Sequence, residues 1–78
     1  MYDNKKVIKF NEVDEVKEFV NVASSCDFDI DVQYRRAVID AKSMLGMLAL
    51  GLNLDVTVCY GGENQNFEKM VKRLAVAY

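Results

Sequence analysis

The stretch from Ala41 to Leu52, AKSMLGMLALGL, constrains this chain more than any other. A Lys-Ser pair opens a run of methionine and leucine that two glycines interrupt. Serine is a favoured helix N-cap, because its hydroxyl accepts a hydrogen bond from a first-turn amide that the helix leaves unpaired. Ser43 therefore predicts a helix starting at Met44, and Gly51 predicts its end. Between them every position except Gly46 is apolar, so this is not a surface helix with one polar face. One side must enter a core, and the other must be covered or dock something. Met44, Met47 and Leu48 are the candidates for an exposed docking patch, since methionine adapts to differently shaped partners; the competing reading is core packing. With Met44 and Leu48 one turn apart on the wet side, Leu45 is expected to point into the core.

Before this segment, Lys5 to Phe10 (KKVIKF) suits a first strand. Asn11 is a cap candidate for the next helix, with Asp14 three residues on, and Glu12, Asp14 and Glu15 favour the positive end of its dipole. Val13, Val16, Phe19, Val20 and Ala23 share a face at helical spacing up to about Ser25, while Lys17, Glu18 and Asn21 face water. Phe28, Ile30, Val32 and Tyr34 alternate with Asp29, Asp31 and Gln33, the period of a strand with one buried face. Arg35-Arg36 predicts a solvated reversal into Ala37 to Ala41. After the central segment, Val56, Val58 and Tyr60 alternate with Thr57 and Cys59, which puts Cys59 on the wet face. Gly61-Gly62 breaks that strand, and Phe67, Met70, Val71, Leu74 and Tyr78 form one stripe of a closing helix. Striped helices beside alternating strands imply a two-layer α+β fold, with helices on one face of a sheet.

The chain has 78 residues, which suits one domain spanning residues 1 to 78. A net charge of -2 and a pI near 5.0 give no basic footprint, which argues against nucleic acid or an anionic membrane as partner. The longest apolar run is about half of the ~20 residues that a membrane span needs. MYDNKK does not read as a signal peptide. Cys26 and Cys59 are far apart, and without histidine or a CxxC pair they predict neither a metal site nor a redox pair. Ordinary thiols in a reducing cytoplasm, with no cofactor, are the expectation.

KSMLGMLALGL fixes a lysine, a serine, a glycine three residues later, a Met/Leu-rich turn and a closing Leu-Gly in one frame. It resembles the serine-site segment of the HPr family, the small phosphocarriers of the bacterial phosphoenolpyruvate:sugar phosphotransferase system. A weaker similarity continues through FVNVASSCDFDIDVQY and the last helix, so the resemblance covers most of the chain. It implies an open-faced sandwich: a four-stranded antiparallel sheet in the order 1-4-2-3 under three helices. It also implies a non-enzymatic protein whose partners are phosphotransferase proteins, a transcriptional regulator or a serine kinase.

The N-terminal quarter departs from that pattern. Family members carry phosphate on a histidine before the first helix, with an arginine two residues on and then a proline; this chain has no histidine. Counting back from Ser43 without gaps sets Glu12 at the histidine, Asp14 at the arginine and Glu15 at the proline. Either the loop is substituted there or it is shortened and the position is absent. Carboxylates repel an incoming phosphoryl group, which needs a nucleophile helped by cationic or amide donors. Glu12, Asp14 and Glu15 are thus a degenerate phosphoacceptor site, and no catalytic residue is assigned. Phosphoryl transfer to a non-histidine residue and a copy retaining only the fold are the alternatives. The resemblance further makes Ser43 a candidate phosphorylation site, beside its plain capping role.

Overall fold

The structure is a computed structural model and describes residues 3–76. Its elements are β1 (Asn4–Lys9), α1 (Val13–Ser24), β2 (Ile30–Tyr34), β3 (Ala37–Asp40), α2 (Met44–Leu50), β4 (Asp55–Tyr60) and α3 (Gln65–Leu74). The expected strand order 1-4-2-3 is the observed one, and every pairing is antiparallel. Alternation sets the register: Val58 stands between Lys6 of β1 and Val32 of β2, and Val32 meets Ile39 of β3. Ile8, Ile30, Val32, Val56, Val58 and Tyr60 are buried on the helical side.

The helices close that side with the stripes read from the sequence. α1 buries Val16, Phe19, Val20 and Ala23, and α3 buries Phe67, Met70, Val71 and Leu74. Tyr78 lies outside the described residues. Phe19 links the layers, meeting Phe10 edge-on at 5.2 Å and Phe67 at 5.6 Å. Val13 is a correction. It is 45% exposed, one turn before Val16 and beyond the reach of the apolar layer.

Cap chemistry sets the helix starts. α1 begins one residue later than Asn11 capping would give, with Glu12 in extended backbone as N-cap. Glu15 Oε1 reaches back to accept from the amides of Asn11 at 2.7 Å and Glu12 at 3.3 Å, covering donors that the first turn leaves open. Asn64 caps α3 by accepting from Phe67 N at 3.0 Å.

Cys59 is a second correction. Its position in β4 is on the outer face, yet it is fully buried, because a short side chain on a central strand is enclosed by longer neighbours, here its cross-strand partners Lys5 and Asp31. Tyr60, on the inner face, meets Phe67 edge-on at 5.0 Å and stacks on Phe28 at 6.2 Å. Its phenol donates to Glu68, whose carboxylate oxygens lie at 2.5 and 2.8 Å. Burial first, then this bond and the charge of Glu68, push its pKa well above the ordinary tyrosine range.

The phase of α2 overturns the expected facing. Met47 is 1% exposed and belongs to the core, whereas Leu45 is 84% exposed. At about 100° per residue, Met44 and Leu50 flank Met47 by roughly 60° on either side and Leu45 lies nearly opposite. Met44 and Leu50 are accordingly half-buried, and Leu48, at the edge, is 38% exposed. Of the expected patch, Met47 is therefore core, and Leu45 replaces it outside.

This packing can be tested at two places. Glu68→Ala should cost about 1–2 kcal/mol by urea unfolding, since it leaves a buried phenol without its acceptor. In the native protein the Tyr60 contribution should be full below pH ~10, where unfolded tyrosine keeps its proton, and should fall as pH rises toward the higher folded value. In α2, Met47→Asp should lose several kcal/mol and melt first, while Leu45→Asp should stay within about 0.5 kcal/mol of the parent.

Candidate functional site

α2 is anchored at its start by a compact set of bonds. Ser43 Oγ accepts from Gly46 N at 3.2 Å, Ser43 O from Met47 N at 3.0 Å, and Ser43 N donates to Asp40 O at 2.9 Å. Asp40 Oδ1 accepts from Lys42 N at 2.9 Å, so the turn out of β3 is held from both sides. Ser43 is thus the N-cap that its sequence position predicts, half-buried, with its hydroxyl engaged. Gly46 is required by close approach: a Cβ there would sit 2.8 Å from Ile39 Cγ2 and 3.2 Å from Ser43 Oγ. The Lys42 ammonium donates to Cys26 O at 3.0 Å, which ties this turn to the end of α1.

At the other end of α2, Gly51 takes φ 106° and breaks the helix. Asn53 is also left-handed, at φ 60°, and its amide donates to Phe10 O at 2.7 Å. That bond brings the end of α2 to the connector between β1 and α1, and the two helices also pack directly. The connector holds Phe10, Asn11 and Glu12, with Phe10 buried. Glu12 and Asp14 are exposed, and Glu15 is half-buried with one oxygen on the Asn11 and Glu12 amides.

An open cleft of about 220 Å³ lies beside this point, bordered by Lys9, Asn11, Glu15 and Arg73. Its two cations are already engaged: Lys9 with Asp55 at 3.5 Å and Arg73 with Glu18 at 2.7 Å. The border of this cleft therefore presents the Glu15 carboxylate and two cations that are each paired with a carboxylate.

The described residues expose four large apolar side chains, and three of them, Val13, Leu45 and Leu48, are on α1 and α2. Val13 and Leu45 escaped the sequence reading, because each fits an apolar stripe as well as it fits a surface. No local signal marked them: Ser43 is the cap that the sequence predicts, and a cap leaves open which side of α2 turns inward. Neither cysteine joins this region as a chemical group. Cys26 is buried, with its pKa raised chiefly by burial, and among the described residues no cluster of His, Cys, Asp and Glu could hold a metal. No described helix is long and apolar enough to cross a membrane.

A family model described as the PTS HPr component phosphorylation site matches residues 14–77, so the match starts just past Glu12. Similar in fold is the crystal structure of HPr-C-His from Thermoanaerobacter tengcongensis, with a TM-score of 0.72 and 21% identity over 92% of this chain and 90% of that one. The phosphocarrier protein HPr from Bacillus anthracis str. Ames gives a TM-score of 0.71 and 19% identity, covering 91% of this chain and 95% of that one. No curated protein matches the chain. Since the family model spans most of its length, the chain belongs to the HPr phosphocarrier family of the phosphotransferase system.

Proposed function

We propose that this family member does not carry phosphate on a histidine and acts as a protein-docking, regulatory component of the phosphotransferase system. It works by binding and not by catalysis, in the cytoplasm. The observation that carries this reading is the chemistry at the start of α1: Glu12 is the N-cap, Asp14 and Glu15 stand in the first turn, and the chain has no histidine. A carboxylate-rich turn disfavours the phosphoryl group that a histidine-bearing turn would accept.

The docking surface in this reading is Leu45 and Leu48 of α2, with Met44 at its half-buried margin. Met47 takes no part except as support from below. Ser43 is the proposed point of control by a serine kinase. It stands next to this surface, and a phosphate there would replace a neutral hydroxyl with about two negative charges beside apolar side chains. The partner is another phosphotransferase protein or a transcriptional regulator.

Incubation with phosphoenolpyruvate, the system's first enzyme and a histidine-bearing HPr as control should charge the control and leave this chain without a phosphate-sized mass gain. Stoichiometric transfer mapped near residues 9 to 18 would overturn the reading. With ATP and an HPr serine kinase, modification should fall on Ser43 and vanish in Ser43→Ala, not on Ser24 or Ser25. Those two lie at the C-terminal end of α1, where added negative charge meets the wrong end of the helix dipole and Ser25 Oγ already donates to Val22 O at 2.6 Å. Phosphopeptide mapping decides between these sites.

A further inference from the structure

The two edges of the sheet are finished differently. Along β1 the chain returns after α3, with Val76 N donating to Val7 O at 3.0 Å and Ala75 bridging to Ile8. Along β3 no described strand follows, since the order ends there. Register says which backbone groups of β3 face outward. Val32 stands opposite Ile39 and Tyr34 opposite Ala37, and Ala41 N continues the ladder by donating to Ile30 O at 2.9 Å. Alternate residues of an antiparallel strand bond to the same neighbour. Ala37, Ile39 and Ala41 therefore face β2, and the N–H and C=O of Val38 and the N–H of Asp40 point away from it. The Asp40 carbonyl is taken by Ser43 N at 2.9 Å. Val38, on the outer face of the sheet, is 59% exposed. Ala37, on the helical face, is exposed too, so no helix covers this edge at its turn end.

The charges of this edge are ordered along it. Arg35 and Arg36 form the turn at one end, and Asp40 stands at the other with Asp31 opposite it on β2. Arg35 is held over the Tyr34 ring at 5.2 Å, and the Lys42 ammonium is held by Cys26 O at 3.0 Å. Arg36 and Asp40 are thus the charges that flank Val38 along β3. We infer that β3 pairs with β3 of a second copy of this chain, antiparallel about a two-fold axis at Val38, so that two four-stranded sheets continue as one. This register sets Val38 against Val38 of the other copy, where the outward N–H and C=O groups exchange both bonds and the exposed side chains meet. It also sets Arg36 of each copy against Asp40 of the other. Asp40 Oδ1 already accepts from Lys42 N at 2.9 Å, and Oδ2 is left to meet the guanidinium. A parallel pairing would bring arginine against arginine and aspartate against aspartate, which like-charge repulsion opposes. So short an edge buries less than the about 1,000 Å² of a stable interface, and the dimer is accordingly weak and reversible. It does not depend on docking at α2.

The test is sedimentation equilibrium and amide NMR of the full chain over a concentration series from about 0.02 to about 1 mM. The apparent mass should rise from one chain toward two, and the amide resonances that move with concentration should be those of residues 36–40, not those of β1. Arg36→Glu sets a carboxylate against Asp40 of the other copy, and Val38→Lys puts an ammonium at the axis. Each should weaken self-association at least about tenfold while leaving Tm within about 2 °C of the parent. Asp40→Lys alone should weaken it as well. An equimolar mixture of Arg36→Glu and Asp40→Lys should regain it, because the mixed pair again brings opposite charges together on both sides of the axis. A chain that stays monomeric across the series overturns the inference, as do concentration-dependent shifts confined to α2 or β1. So does association of Arg36→Glu and Val38→Lys at the parent's strength, or a mixture of folded variants that associates no better than either alone. Should Asp40→Lys fail to fold, since Asp40 also holds Lys42 N, the results for Arg36→Glu and Val38→Lys decide.

Discussion

Strand β4 is the member on which the other elements depend. It is the last strand in the chain, yet it lies inside the sheet between β1 and β2, so its pairings join the two ends of the molecule. Its inward residues Val56, Val58 and Tyr60 are fully or almost fully buried, and Tyr60 carries contacts to both Phe28 and Phe67. The Tyr60–Glu68 bond then fixes α3 to the strand just before it across the Gly61-Gly62 turn. Gly62 is required there, because a Cβ would run into the ring of Phe28. The chain after α3 returns along β1, where Val76 N donates to Val7 O at 3.0 Å. The edge of β1 is thereby partly covered, which limits an exposed strand's tendency to pair with other chains.

With the sheet closed by α1 and α3, the short helix α2 has little core left to enter. A seven-residue helix over a two-layer core buries one row and leaves its opposite row in water. Gly46 lets it approach β3 closely, and Met47 fills the space beneath. Leu45 and Leu48 are what remains outside. An exposed leucine has no packing reason, and this pair on one short helix is the surface on which the proposed docking rests.

The family relation and the local chemistry point in different directions at one place only. The fold and the sheet order are those of an HPr protein, while the start of α1 is carboxylate-rich and the chain has no histidine. The capping role explains how such a turn is tolerated structurally. Glu15 covers the amides of Asn11 and Glu12, and negative charge at that end of a helix is favourable. The same carboxylates that stabilise the helix start are the ground on which we propose that this family member does not carry phosphate on a histidine.

By itself the sequence determined the element order, the α+β class, the stripes of α1 and α3, and the cap of α2 at Ser43. Each is local: alternation and 3.6-residue periodicity are written in neighbouring residues, and a serine placed before an apolar run caps the helix which that run forms. The strand order was legible through the likeness of one segment to a known family, since pairing between distant strands leaves no mark on the residues between them. What tertiary structure alone decided was the phase of α2 and the burial of Cys59. A helix that is apolar all round has no polar residue to mark its outer side, so only the approach of Gly46 to Ile39 fixes Met47 inward and Leu45 outward. Cys59 alternates like an outward residue, and its burial depends on the size of neighbours brought beside it by β1 and β2. Val13 matches the stripe of α1, but whether anything covers the first turn depends on how far the rest of the core extends.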